Sequence, residues 1–263
     1  MIGLKQVLAH PASIGVDLDS PDCTEARKEI IQSNGFLHRI YEAWYGCHKQ
    51  AIPDSPIGTS ILEIGSGAGF FAEFMNSDEV VTSDIIPLSG IDLTLDAQEL
   101  EQEFAPESLR GITMINVLHH VPDVRRFFRS ATQALAPGGV VSMIEPWVSG
   151  WSKFVYNNLH HEPFDPGRPD WGFETTGPLS GANGALPWIV FERDKQQFEE
   201  EFPELNIVGI QPIMPLLYLI SGGVSMRQLQ PAALFGLWSG VEKALSPWRR
   251  QLAMFAHIVV QKK

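Results

Sequence analysis

Apolar positions along the chain change their period several times. Phe36, Leu37, Ile40, Ala43, Trp44 and Cys47 recur at helical spacing and predict a helix from Phe36 to about Lys49. An earlier helix, capped by Ser20 or Asp22, runs through Ile31 until Asn34 and Gly35 interrupt it. Short apolar runs then alternate with helical stretches. Strands are expected at 60–64, 79–83, 111–116 and 140–144, and helices at 70–75, 97–104 and 124–135. In the last helix Val124, Phe127, Phe128, Ala131 and Leu135 share one face, Asp123 caps it, and Pro137, Gly138 and Gly139 stop it. This order predicts an α/β, Rossmann-like doubly wound sheet, mostly parallel, with helices on both faces.

The remainder breaks that rhythm. Residues 147–190 hold Trp147, Trp151, Trp171 and Trp188, with many prolines and glycines. A connection this long is expected to be a lid or substrate-binding insertion. A helix follows from Asp194 to Phe202, then strands at 206–210 and 253–260, expected to be an antiparallel pair with an expanded connection. The chain thus divides into an N-terminal helical cover (1–58), a cofactor-binding core (59–146), a substrate cap (147–190) and a C-terminal part of the core (191–263), whose connection over 211–250 is apolar.

Composition narrows the function. The 263 residues carry 31 Asp and Glu against 19 Lys and Arg, a net charge of −12. A duplex-binding protein needs a basic face to neutralise phosphates, so nucleic acid is not expected as a partner. The cysteines, Cys23 and Cys47, make no CxxC pair and suit a reducing cytoplasm, and the first residues lack a signal-peptide run. Between Leu205 and Val241 the sole charged residue is Arg227, but Pro212, Pro215, Gly222 and Gly223 interrupt the stretch, so no transmembrane helix is expected. Lid, subunit interface of a homodimer, and peripheral membrane surface remain open for it.

The sharpest motif is Glu63-Ile-Gly65-Ser66-Gly67-Ala-Gly69, directly after the first strand. Alternate glycines let the backbone turn tightly at a strand's carboxyl end, where open α/β sheets bind ligands. A second register, Gly67-x-Gly69 with Ala72, fits the relaxed dinucleotide pattern, so glycine counting leaves NAD open. The phosphate loop GxxxxGK[ST] is absent. Asp84 ends the second strand, where a carboxylate can accept both ribose hydroxyls of either kind of nucleoside cofactor.

The loop's spacing resembles the [DE]xGxGxG motif of class I S-adenosylmethionine-dependent methyltransferases (the type 11-like branch). Asp96-Ala97-Gln98-Glu-Leu resembles that family's segment after the third strand. Ile115-Asn116-Val-Leu-His119-His120 resembles its fourth-strand end, and Leu135-Ala-Pro137-Gly138-Gly139 its turn before the fifth strand. The resemblance covers residues 60–146. It implies a seven-stranded sheet with an antiparallel last strand, and S-adenosyl-L-methionine as cofactor. It implies a berth made by Glu63, Gly65, Ser66, Gly67, Gly69, Asp84, Asp96, Ala97 and Asn116. There Glu63 places the methionine ammonium, Asp96 takes the adenine amino group and the Ala97 backbone meets the ring. Asp96 also reads as a plain helix cap, with Glu99 three residues on.

The expected reaction is methyl transfer to a small-molecule or lipid-like acceptor, oxygen favoured. His120 is the expected general base, because neighbours in an extended segment point opposite ways and the family often has a histidine there. Packing or hydrogen bonding is the alternative role for it. His160, His161 and Glu162 fall in the aromatic insertion, where a lid or solvated role is open to them. No HxxxH or HExxH spacing links them with His119 and His120, so no metal is expected. Phe154, Tyr156, Phe164 and Phe173 either line an apolar acceptor pocket or form the insertion's own core. Two other functions fit the same fold: an NAD(P)-dependent oxidoreductase, and a non-catalytic Rossmann-like binding protein.

Overall fold

The computed structural model describes residues 10–11, 17, 19–54, 60–160 and 162–263. Two helices open it. Helix α1 (Pro21–Ser33) starts on a proline, whose missing N–H costs nothing in the first turn, and Ser20 caps it. Asn34 both ends α1 and caps α2 (Gly35–Ala51), its Oδ1 accepting from the N–H of Phe36 and Leu37 at 3.1 and 3.0 Å. The buried stripe of α2 is Phe36, Leu37, Ile40, Tyr41, Trp44, Tyr45 and His48, whereas Ala43 faces solvent. Apolar counting placed Ala43 inside because it left out tyrosine and histidine, whose rings bury while their tips find polar partners.

Seven strands make one sheet in the order β3-β2-β1-β4-β5-β7-β6. They are β1 (Ser60–Ile64), β2 (Val80–Asp84), β3 (Leu93–Thr94), β4 (Leu109–Ile115), β5 (Leu135–Pro146), β6 (Leu205–Ile213) and β7 (Phe255–Lys262). The first five run parallel, and β7 inserts antiparallel between β5 and β6. The expected antiparallel pair is therefore present. Strand β3, only two residues long, carries no period that sequence patterning can detect. Helix α3 (Phe71–Met75) follows the glycine loop, and α4 (Val124–Ala134) packs its Val124, Phe127, Phe128 and Ala131 face inward. Residues 97–102 form two 3-10 turns broken at Glu99, shorter than the expected helix.

Ile61, Leu62, Ile64, Ile112, Met114, Val141, Met143 and Ile144 are all buried, as strands covered on both faces require. Two arginines of α4 are held in ion pairs. Arg125 pairs with Glu201 at 2.6 and 2.9 Å and lies over the Trp171 ring, and Arg126 pairs with Glu99. After β5 come α5 (Gly150–Leu159), a long irregular stretch, a π turn (Ile189–Arg193) and α6 (Lys195–Glu201). Between β6 and β7 the connection folds into α7 (Leu217–Ser221), α8 (Phe235–Ala244) and α9 (Arg249–Leu252). Among the described residues no helix is long and apolar enough to cross a membrane.

Candidate active site

At the carboxyl end of β1 the chain turns through Gly65, whose φ of +74° lies in the left-handed region. A Cβ there would stand 2.5 Å from Val117 Cγ2, so both conformation and space call for glycine. Gly67 has an ordinary φ but no room. Its missing Cβ would lie 2.3 Å from Leu88 Cδ1 and 2.8 Å from Asp84 Oδ2. Its N–H donates to that same Oδ2 at 3.1 Å, tying the loop to the end of β2. Asp84 Oδ1 accepts from Ile86 N–H at 3.0 Å.

Beside this loop opens a cleft of about 590 Å³. Glu63, Gly65, Gly69, Asp84, Asp96, Ala97 and Asn116 all line it. Ser66 and Gly67 do not: Ser66 Oγ donates to the Glu63 carbonyl and accepts from Ser83 N–H beneath the loop, and Gly67 packs against Leu88 and Thr24. Asp96 lies where the cleft and a helix start meet. Its carboxylate borders the cleft, and its Oδ1 accepts from Gln98 N–H at 2.9 Å as a helix cap. Asn116 has left the strand with a φ of +57°, a conformation non-glycine residues seldom adopt and one that recurs at functional sites.

Sequence reading missed Thr24, Arg27, Tyr41 and Tyr45, which close the cleft from α1 and α2. Tyr45 Oη accepts from Phe70 N–H at 2.9 Å, a contact that only the fold creates. Glu63 and Asp84 resist ionisation. Burial, with the nearby charge of Asp84, raises Glu63 to about 7 against a hydrogen bond from Ser66. Burial likewise raises Asp84, against the N–H groups of Ile86, Gly67 and Ile85.

A second, smaller cavity of about 110 Å³ adjoins the first. Arg27, Asn116, His120 and Val224 line both. Its walls are largely apolar and come from the insertion (Val155, Tyr156, Phe164) and the late connection (Tyr218, Leu219, Met226). Of the aromatic residues named above, Tyr156 and Phe164 thus face a pocket, while Trp171 is core and Phe154 is exposed.

The polar group in this cavity is a cluster of histidines and acids. Glu145, fully buried on β5, receives Val117 and Leu118 N–H on Oε1, both at 2.8 Å, and faces His119 Nδ1 with Oε2 at 2.7 Å. His119 Nε2 lies 3.5 Å from Glu162 Oε2, and His120 Nε2 lies 3.7 Å from Glu162 Oε1. His120 Nδ1 is 3.0 Å from the Gly181 carbonyl. A carbonyl only accepts, so Nδ1 carries the hydrogen and the lone pair sits on Nε2, toward Glu162. Burial opposes a charged His119, but hydrogen bonds and charge from Glu145 and Glu162 outweigh it and raise the ring to about 9. Burial and then the charge of His119 push His120 down to about 4. His161 lies outside the described residues.

Residues 36–166 match the family model of the methyltransferase domain. Those residues carry a methyltransferase domain of the class I type. S-Adenosylmethionine is the cofactor of that family. No match is found among curated protein sequences. Among solved structures the methyltransferase resembles geranyl diphosphate C-methyltransferase from Streptomyces coelicolor A3(2), crystallised with Mg²⁺, geranyl-S-thiolodiphosphate and S-adenosyl-L-homocysteine. The two share 11% identity and a TM-score of 0.51 over 97% of this chain and 85% of that one. An S-adenosylmethionine-dependent methyltransferase from Mesorhizobium loti shares 15% identity over 84% of this chain and 98% of that one, with a TM-score of 0.46. The [4+2]-cyclase SpnF shares 13% identity over 84% and 80%, also at 0.46. At these identities the likeness concerns the fold.

Proposed function

We propose that the protein transfers a methyl group from S-adenosylmethionine, held in the larger cleft, to an oxygen of a small, mostly apolar acceptor held in the smaller cavity. The observation that carries this reading is the wall the two cavities share, formed by Arg27, Asn116, His120 and Val224. A donor and an acceptor bound on either side of it would meet at Asn116 and His120.

The cleft fits the cofactor on its own chemistry. Its volume suits a nucleoside-sized ligand. Two buried carboxylates with raised pKa values favour a cationic ligand, since a positive charge restores their ionised form. Glu63 would take the ammonium group, Asp84 the ribose hydroxyls, and Asp96 with the Ala97 backbone the adenine. Gly65 and Gly69 bring backbone close without side chains in the way, Asn116 borders the ligand, and Gly67 lets the loop pack on Leu88 and Asp84. Ser66 supports the loop from below.

The bound cofactor supplies an electrophilic methyl group on a sulfonium. The chain's own residues must then align the acceptor and keep water out. His120 presents the Nε2 lone pair to the smaller cavity, with Nδ1–H fixed on Gly181, so it can take the acceptor's hydroxyl proton. A proton placed there comes to lie beside Glu162. Residues 147–190 act in this reading as a substrate cap. The free thiols of Cys23 and Cys47 suit a cytoplasmic setting.

Calorimetry with S-adenosylhomocysteine and NADH in parallel tests the proposal. Binding of the first alone is expected. Binding of NADH with no response to S-adenosylhomocysteine would replace it with a hydride-transfer function.

A further inference from the structure

We propose that His119, His120 and Glu162 form a binding site for a divalent transition-metal cation in the floor of the smaller cavity. This rests on the reading of that cavity as the acceptor pocket. It names the acceptor's class: a molecule whose oxygen can bind a metal.

The ligand atoms already converge. One ring nitrogen of His119, one of His120 and one Glu162 oxygen all lie within 4.8 Å of one another; His119 Nε2 is 3.5 Å from Glu162 Oε2, and His120 Nε2 is 3.7 Å from the other oxygen, Oε1. A tetrahedral site with bonds of 2.0–2.1 Å has edges of roughly 3.4 Å, so a modest closure completes it. Two imidazoles and one carboxylate suit Zn²⁺, Fe²⁺, Co²⁺ or Mn²⁺ rather than the all-oxygen preference of Ca²⁺ or Mg²⁺.

The surroundings carry the inference further than proximity does. Metal-bound histidines commonly donate their second ring N–H to a carboxylate or a carbonyl, which fixes the ring and directs the other nitrogen at the metal. Both histidines here have that support. His119 Nδ1 is held by buried Glu145, and His120 Nδ1 by the Gly181 carbonyl. Glu145 is in turn fixed by two backbone N–H groups at 2.8 Å. Both free nitrogens consequently point toward one carboxylate.

Three protein ligands leave the remaining position to the acceptor. A hydroxyl coordinated there would lose its proton to solvent more readily, which would leave its oxygen the lone pair that a methyl group requires. The proton that His119 holds on Nε2 departs to solvent as the cation arrives. His120 then holds the cation that acidifies the acceptor in place of the acceptor's proton. The spacing rules found no metal motif because the ligands come from two segments. His119 and His120 follow β4, and Glu162 lies in the insertion.

The test uses the full chain, stripped with chelator and titrated with Co²⁺ by visible absorption and with Zn²⁺ by calorimetry. S-Adenosylhomocysteine affinity is measured on each sample. One equivalent of metal is expected, with affinity lowered at least tenfold in His120→Gln and in Glu162→Gln, and about 10- to 100-fold in Glu145→Gln, which touches no metal. S-Adenosylhomocysteine should bind Glu162→Gln, whose side chain does not line the larger cleft, as it binds the parent. His119→Gln is a further variant; if it fails to fold, the partly accessible His120 and Glu162 still decide. Absence of metal binding, or binding unchanged in His120→Gln and Glu162→Gln, overturns the site while S-adenosylhomocysteine binding keeps the methyltransferase reading. Loss of S-adenosylhomocysteine binding in the parent protein would instead remove that reading.

Discussion

Glu145 Oε2 stands 2.7 Å from His119 Nδ1, and the other oxygen of the same carboxylate holds the N–H groups of Val117 and Leu118. One buried acid thereby sets both the turn after β4 and the ring it carries. Glu145→Ala would leave three donors unpaired in a dry environment, and a cost of about 3–5 kcal/mol is expected. Glu145→Gln keeps an oxygen for the two N–H groups and should lose less than half as much. Urea denaturation of the two variants checks this. An alanine variant within about 1 kcal/mol of the parent would refute the structural role.

Gly67 has no space for a side chain between Leu88, Thr24 and Asp84. Gly67→Val is expected to displace the loop and lower S-adenosylhomocysteine affinity at least a hundredfold by calorimetry. Asp84→Ala should weaken binding at least tenfold, because it removes both a ligand acceptor and the tether on Gly67 N–H. Unchanged affinity in both would place the ligand elsewhere.

Glu63 gives the cleft a dependence on pH. Burial raises its pKa to about 7, so below that value the unliganded carboxyl holds a proton. An ammonium group needs the carboxylate. Affinity for S-adenosylhomocysteine should therefore be full above about pH 7.5 and fall as pH drops below 7, by up to about tenfold per unit. Glu63→Gln should bind more weakly and show a flatter profile. A parent profile flat from pH 5.5 to 8 would contradict this account.

Acid sensitivity should arise in part from two histidines that share one serine of β5. Ser142 Oγ lies 2.8 Å from His48 Nδ1 and 2.9 Å from His257 Nε2. Burial, with the neighbouring His257, lowers His48 to about 3, and burial lowers His257 to about 4. Unfolded, each would titrate near 6.5. Between those values the unfolded chain binds more protons, so stability is complete above about pH 6.5 and is lost as pH falls toward 4 and 3. The slope is about 1.4 kcal/mol per pH unit for each histidine. His48→Gln should remove its own slope of about 1.4 kcal/mol per pH unit from the change between pH 6.5 and 4.5, to which His120 adds with the same sign and Glu63 with the opposite one. An equal drop in variant and parent would show that other groups govern it.

The sequence was most legible where chemistry and local geometry coincide. Gly65, Gly67 and Asp84 announce themselves through spacing at strand ends, and each lies where that spacing placed it. Tyr45, Arg27 and Glu162 reach the two cavities from elements far apart in sequence, so no local pattern could join them. Glu145 sits inside an apolar strand, where one acid reads as an interruption; its three hydrogen-bond partners exist only once β4 and β5 pair. The Ala43 error has the same origin as the Tyr45 omission: counting apolar residues alone moved the helical stripe by a fraction of a turn.

Arg27, Asn116, His120 and Val224 border both cavities at once, with no element of the sheet between them. A group handed across so thin a partition never needs to rest on the protein. Catalysis by this route demands that both molecules be seated together. Initial-rate lines against either one should therefore intersect rather than run parallel, and no labelled enzyme should accumulate when the donor is supplied alone.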